Sequence, residues 1–244
     1  MKLITWSEAG SRVRSSMLSL ILAESSIELV PNEIAGHPAI IKWAKRKKKD
    51  PGHLVLDQNY HHSAILRLGK SGVGRGRPDI VHFSLLVALG SPLNADNQLN
   101  CFVHTRDDHV IAVDPRTRLP RNTDRFTALI EQLYQDSVVP SSGHALLELK
   151  KESLKSLLNT ILPDRVVALT TLGSPNPMEA VAAVLREADR PVLLVGGFPA
   201  GHFSEETTKL ASEKIRVDRR NLEAWTIVGR AVYDYEKAIG TKRF

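Results

Sequence analysis

Arg77 and Asp79, in the run Arg75-Gly76-Arg77-Pro78-Asp79, are spaced to hold one another. Pro78 suits the first turn of a helix, and Asp79 then sits where the helix macrodipole favours a carboxylate. An arginine two residues before such an aspartate can be fixed in one orientation by it. Its planar guanidinium then becomes a fork for a phosphate or a base edge. The alternative is an aspartate that only caps its helix, beside the solvated cations Arg67, Lys70 and Arg75. A second basic segment carries Arg116, Arg118, Arg121 and Arg125 against one acid, Asp124. Arginine is used there to the exclusion of lysine, as suits bidentate contact with phosphate. Arg121 and Arg125 share a face if a helix begins near Asn122. The run Lys45-Arg46-Lys47-Lys48-Lys49, mostly lysine at a helix end, reads instead as solvated, a non-specific backbone contact at best.

Glycines mark a second kind of chemistry. "LGKSGVGRGRPD" (68–79) contains Gly69-Lys70-Ser71, the end of a phosphate-gripping P-loop, but Ala64 stands where the earlier glycine must be. Gly72-Val73-Gly74 starts a dinucleotide fingerprint that Arg77 breaks. Neither nucleotide motif is complete. "VLLVGGFPAGHFS" (192–204) is more informative, because an apolar strand runs directly into Gly196-Gly197, Pro199 and Gly201. Ligands of open α/β sheets bind outside the carboxyl ends of strands, where backbone must approach them closely. Two further loops fall at the same predicted edge: Thr170–Ser174, and Val217–Leu222 before the last helix. Three such loops with little charge at their centre suit a small, mostly neutral ligand; glycines serving only a tight turn are the alternative.

The elements that must position these residues alternate. "SLILAESSIELVP" (19–31) predicts a strand and then a short helix or turn, and "HPAIIKWAKRKKK" (37–49) a helix stopped at Asp50-Pro51-Gly52. "HLVLD" reads as a strand and "HHSAILRLG" as a helix, and Pro78 opens another helix that is apolar nearly all round and therefore buried. "CFVHT" (101–105) and "HVIAV" (109–113) read as a β-hairpin, and "DRFTALIEQLYQ" (124–135) as an amphipathic helix capped by Asn122, Thr123 or Asp124. Then follow helix "ESLKSLLNTIL", strand "RVVALTT", helix "NPMEAVAAVLREA", strand "PVLLVGG" and helix "NLEAWTIVGRAVYDYEKAI". This alternation predicts an α/β fold with a parallel sheet covered on both faces.

Composition narrows the function classes. Lys plus Arg number 33 against 27 Asp plus Glu, a net charge of +6 that is compatible with a polyanionic partner. Cys101 is the only cysteine, so a disulfide framework, a Cys-rich zinc site and a CxxC redox pair are excluded within one chain. It reads as a small core side chain, and His82, inside the buried helix, as a hydrogen-bonded core residue. Nine histidines include His61-His62, His104 and His109, but no HExxH or Cys/His spacing accompanies them, and no metal site is expected. The apolar part of Arg12–Ser26 is short and soon meets Glu24 and Glu28, which favours a buried strand over a targeting segment. No apolar run reaches the ~20 residues of a membrane helix.

Several of these motifs occur together in an ordered set. Arg75-Gly-Arg-Pro-Asp-Ile-Val-His-Phe-Ser, Ser91-Pro-Leu-Asn, Arg118-Leu-Pro-Arg-Asn-x-x-Arg-Phe and Val195-Gly-Gly-Phe-Pro-x-Gly-x-Phe-Ser follow in that order, with Tyr-His-His at 60–62. The chain thereby resembles, from "LILAESSIELVP" to "NLEAW", the ribosome-biogenesis family of small-subunit rRNA pseudouridine N1-specific methyltransferases. That family belongs to the SPOUT, or α/β-knot, superfamily, and Gly197, Phe198 and Pro199 look more like its archaeal branch. The resemblance implies a single SPOUT domain over residues 1–244 with a C-terminal trefoil knot and a basic hairpin insertion around 100–120. It also implies S-adenosyl-L-methionine as cofactor, a homodimer, and a cytoplasmic protein (nucleolar in a eukaryote). Carried over by position, the cofactor loops are Thr171, Leu172 and Gly173, then Gly196 to Gly201, then Val217, Asp218, Arg219, Arg220, Asn221 and Leu222. Asp218-Arg219-Arg220 is unusually charged for such a loop, which is tolerable if backbone atoms make the contacts. Arg77, Arg118, Arg121 and Arg125 correspond to RNA-contacting arginines, and Asp79 to the carboxylate that steadies Arg77.

The implied chemistry needs no metal, because the sulfonium methyl is already electrophilic. The attacked ring nitrogen must lose its proton, and Arg77 braced by Asp79 is placed to stabilise the charge that develops on the ring oxygens. Asp79 as general base is the weaker alternative, since a carboxylate held by arginine is a poor proton acceptor. An exposed rRNA loop is the expected substrate, because the target base must leave its stack. The rival function is a non-catalytic rRNA-binding assembly factor that uses the same basic loops. The final helix carries Trp225, Val228, Val232 and Tyr235 at helical spacing, which monomer core explains as well as a dimer face does.

Overall fold

The first strand, β1 (Leu18–Ser25), sends Leu18, Leu20 and Leu22 into one apolar core and Ile21 and Ala23 into another. A strand that buries both faces must lie inside a sheet covered on two sides. The computed structural model describes residues 17–240, so the start of the Arg12–Ser26 segment lies outside them. After β1 come α1 (Asn32–Ala35), α2 (Pro38–Lys47), α3 (Gln58–Arg67), α4 (Pro78–Leu89) and α5 (Pro92–Ala95). Next are β2 (Leu99–Thr105), β3 (His109–Val113), α6 (Thr123–Asp136), β4 (Val138–Val139), β5 (Leu147–Lys151) and α7 (Leu154–Ile161). The chain continues through β6 (Arg165–Pro175), α8 (Met178–Arg186), β7 (Pro191–Gly196), α9 (Glu205–Leu210), β8 (Glu213–Arg216) and α10 (Ala224–Ala238).

The eight strands form one sheet in the order β4-β5-β3-β2-β1-β7-β6-β8. Pairings from β2 through β1, β7 and β6 to β8 are parallel, whereas β2/β3, β3/β5 and β4/β5 are antiparallel. The α/β class holds, but the sheet is mixed, not wholly parallel. The reason is local. The turn Arg106-Asp107-Asp108 is too short for a crossover, so β3 must return antiparallel beside β2. The residues expected to form a hairpin insertion thus supply two inner strands. One face of the sheet packs against α4, α6, α8 and α10 through Val81, Leu85, Phe126, Val181, Val228 and Tyr235. The other packs against α7 through Leu154, Leu157 and Leu158. Each fully buried Leu or Ile contributes roughly 1.5–3 kcal/mol.

Two further expectations change. "HLVLD" makes no strand: Val55 pairs only with Leu29 in an isolated bridge, since helical turns close in on either side. Leu54 and Leu56 instead seal a small separate core with Ile40, Ala44, Ala64 and Ile65 of α2 and α3. The α4 helix is not buried all round, because Phe83 and Val87 stay more than a third exposed. Asn122 is the cap of α6, its side chain accepting from the Arg125 N–H at 3.1 Å. Cys101 is buried, and burial pushes its thiol up to about 12, so it is an inert core residue.

Candidate active site

The parallel strands β1, β6, β7 and β8 end at one edge of the sheet, and there the chain opens a pocket. It is lined by residues 169–171 of β6, by Val195 and Gly196 of β7, by residues 198–203, and by residues 215–218 and 220–222. Ala224 and Ile227, one turn apart at the start of α10, complete the wall. Of the residues expected to meet, Thr171, Gly196, Gly201, Val217, Asp218, Arg220, Asn221 and Leu222 line this pocket. Leu172, Gly173, Gly197 and Arg219 do not. β6 slips register between Leu169 and Ser174, which both lie opposite Ile215, so the residues between them form a bulge. Leu172 is left 73% exposed on that bulge. Gly173 packs on the backbone of β8, where a Cβ would lie 2.5 Å from Ile215 N, and its role there is close packing. Arg219 is exposed beyond the pocket.

The charged triplet is largely neutralised. Arg220 Nε donates to Asp218 Oδ1 at 3.0 Å and Nη2 to Oδ2 at 3.1 Å. Those bonds hold the Asp218 carboxyl well below the usual carboxylate range. Much of the remaining wall is apolar (Leu169, Val195, Phe198, Phe203, Ile215, Ala224 and Ile227), with Thr170, Thr171, His202, Arg216 and Asn221 as its polar members. Ile215, in β8, escaped the sequence reading because a four-residue strand gives almost no periodic signal. Phe203 stands edge-on to Phe198 at 5.5 Å, at the end of a motif whose glycines drew attention first. This lining fits a compact, mostly neutral group gripped by backbone, as a bent S-adenosylmethionine would be.

Arg77 lies beside the pocket, not in its wall, and two backbone hydrogen bonds in series connect them. The Arg77 N–H donates to the Ser26 carbonyl at 3.0 Å, and the Ser26 N–H donates to the Gly197 carbonyl at 2.8 Å. Gly197 in turn donates to Ala23 at 2.9 Å, so the glycine loop is clamped along the end of β1. The side chain of Arg77 forms the expected fork: Nε to Asp79 Oδ1 and Nη2 to Oδ2, both 2.8 Å. The bonds to Asp79 raise the guanidinium pKa, and Glu223, next to pocket residue Leu222, adds to the rise. With Nε and Nη2 engaged, Nη1 is left to meet a ligand. Arg75, by contrast, is committed to Glu28 through Nε at 2.9 Å and a second bond from Nη2.

The second arginine segment is held from beneath. Thr117 and Leu119 are buried while Arg116 and Arg118 are exposed, so alternate side chains point in and out. His82 of α4 makes a 2.6 Å hydrogen bond to the Pro120 carbonyl and stacks on Phe126 at 4.4 Å. Burial lowers the imidazole pKa, which keeps the ring neutral with Nε2 as donor. His82 is therefore the hydrogen-bonded core residue expected. The same helix thus begins at the Arg77 fork and anchors the Arg118–Arg121 loop one turn later. Arg118, Arg121 and Arg125 are exposed and have no side-chain partner among the described residues, whereas Arg116 is tied to Asp114 at 3.0 Å. Arg121 precedes the cap Asn122 and Arg125 lies in the first turn of α6, so the two flank the start of the helix, and only Arg125 belongs to one of its faces. Among the described residues no group of three His, Cys, Asp or Glu side chains is arranged to hold a metal ion. His61 is buried, His62 is exposed, and burial takes His61 down to about 4.

Known proteins share this architecture. The chain is 47% identical over 219 residues to a Pyrococcus furiosus protein named ribosomal RNA small subunit methyltransferase Nep1, covering 90% of this chain and 96% of the relative. It is 42% identical over 224 residues to the protein of that name from Thermococcus kodakarensis, covering 92% and 100%. Its structure resembles the crystal structure of Archaeoglobus fulgidus Nep1 bound to S-adenosylhomocysteine, with a TM-score of 0.80 at 30% identity, over 91% of this chain and 98% of that one. A family model described as EMG1/NEP1 methyltransferase matches residues 20–236, which span nearly every element of the sheet and its helices. With relatives matched along almost their whole length, the chain belongs to the EMG1/NEP1 methyltransferase family.

Proposed function

We propose that this protein transfers the methyl group of S-adenosylmethionine to N1 of a pseudouridine in small-subunit rRNA. One observation carries the reading: three loops from β6, β7 and β8 share a pocket, and Ser26 and Gly197 hydrogen-bond that pocket to the backbone of Arg77, whose guanidinium is braced by Asp79. The pocket residues named above would hold the cofactor, which supplies an electrophilic methyl group when bound. Arg77 would lie over the ring oxygens, where negative charge gathers as N1 gives up its proton. Arg118, Arg121 and Arg125 would grip backbone phosphates and keep the target base turned out toward the pocket. Support for an rRNA substrate comes from relatives named as small-subunit rRNA methyltransferases. Half-exposed Phe83 and Val87, with Phe83 edge-on to Trp225 at 5.3 Å, support pairing of two copies along α4 and α10.

The test is methyl transfer to a pseudouridine-containing RNA hairpin and to its uridine twin. Transfer is expected to the first alone, with RNA affinity falling steeply as salt rises. No transfer to either, with RNA binding retained, would favour an assembly factor without catalysis.

Glu24 offers a separate check on the glycine loop. It adopts φ 52°, a left-handed conformation costing about 1–2 kcal/mol in a residue with a Cβ. Its carboxylate accepts from the Ser204 N–H at 3.0 Å and the Ser204 hydroxyl at 2.6 Å, closing the far end of that loop. Strain maintained at such a place points to positioning. Glu24→Gly removes strain and brace together, so cofactor binding should weaken about tenfold in calorimetry while Tm stays level or rises. Unchanged cofactor affinity would remove Glu24 from this role.

A further inference from the structure

The Trp43 and Tyr60 rings lie outside the site just described, and neither the pocket nor the arginine loop uses them. They stack at 3.7 Å between centroids with 15° between planes. Trp43 is half-buried against the small core of α2 and α3, while Tyr60 remains 39% exposed. The lysine-rich end of α2 does not simply extend into water. Arg46 lies 5.1 Å and the Lys47 ammonium 4.9 Å from the Trp43 ring centroid, and Lys49 bonds Glu131 at 2.6 Å. The Tyr60 hydroxyl donates to Asp124 at 3.0 Å, which joins the ring pair to the start of α6 between Arg121 and Arg125. The ring pair and the cations seated on it thus adjoin the start of α6, and Lys45, Lys48, Arg121 and Arg125, neighbours in sequence of these residues, are exposed.

That combination matches the chemistry of an unpaired nucleotide, whose base stacks on a ring while its phosphate meets cations. A lid over the small core would need neither the cations at the ring nor a hydroxyl directed to the arginine helix. We infer that Trp43, Tyr60, Arg46 and Lys47 form a second contact surface for the RNA substrate, taking an unpaired nucleotide that flanks the target hairpin. This rests on the reading that the arginine face binds RNA. It adds that recognition extends beyond the hairpin holding the target base.

The test compares two RNAs by fluorescence anisotropy with the full chain: a blunt hairpin carrying the target, and the same hairpin with short unpaired flanks. Wild type should bind the flanked RNA more tightly. Tyr60→Ala should lose about tenfold on the flanked RNA and little on the blunt one. Tyr60→Phe, which keeps the ring and drops the Asp124 bond, should retain the flank preference. Equal binding of both RNAs by wild type would overturn the surface, as would Tyr60→Ala with the preference intact. Should Tyr60→Ala unfold, judged by its Tm, the pair Arg46→Ala and Lys47→Ala decides: an unchanged flank preference there refutes the proposal. A wild type that shows the preference yet transfers no methyl group would leave this surface standing and remove the catalytic reading.

Discussion

Replacing Arg77 with alanine should cut methyl transfer by at least a hundredfold to a thousandfold while cofactor affinity stays close to that of the unaltered chain. The expectation follows from where the two halves of the residue lie. The backbone N–H anchors Ser26 and through it Gly197, and an alanine keeps that bond. The guanidinium is held in a bidentate pair with Asp79 and does not line the pocket. On the proposed mechanism, removing it deletes the positive charge facing the reacting ring and leaves a bare carboxylate beside developing negative charge. Lysine should rescue little, because one ammonium cannot hold both Asp79 oxygens and still present a fixed donor to the ring. Single-turnover transfer and calorimetry with S-adenosylhomocysteine separate the two effects. A variant that loses cofactor binding as fully as activity would contradict this placement of Arg77.

Gly197→Ala should produce the opposite division, with cofactor binding lost outright. A Cβ at this position would stand 2.0 Å from Ser25 Oγ, 2.8 Å from its Cβ and 2.9 Å from its Cα. Ser25 cannot retreat: it is fully buried, and its hydroxyl donates to the Leu22 carbonyl at 2.8 Å. The glycine loop must therefore lift away from β1, breaking the bonds Gly197 makes with Ala23 and Ser26. Overpacking of this kind costs about 1–3 kcal/mol of stability, so Tm should fall as well. A second substitution tests the cause. Ser25→Gly removes the two nearest atoms and should restore part of the affinity, whereas Ser25→Ala leaves the 2.8 Å contact and should not. Full cofactor affinity in Gly197→Ala alone would mean that the loop is not clamped as described.

Much of this protein was legible before its fold. Periodic segments such as "NPMEAVAAVLREA" and "PVLLVGG" carry their own pattern, since side chains repeat on one face of a helix or alternate across a strand whatever surrounds them. Arg77 and Asp79 met as expected because both sit on the first turn of one helix, where two residues of separation settle the geometry. Glycines and prolines likewise marked two of the three pocket loops. Tertiary structure alone decided what depends on residues far apart in the chain. It engaged Arg75 with Glu28 and left Arg118, Arg121 and Arg125 free of side-chain partners among the described residues. It denied "HLVLD" a strand, set the β2–β3 hairpin inside the sheet between β1 and β5, and put Ile215 in the pocket wall while carrying Leu172 and Arg219 out of it. Local pattern reports which face of an element is apolar; which partner covers that face, and which of several identical cations meets a carboxylate, is settled only when distant segments compete for the same contacts.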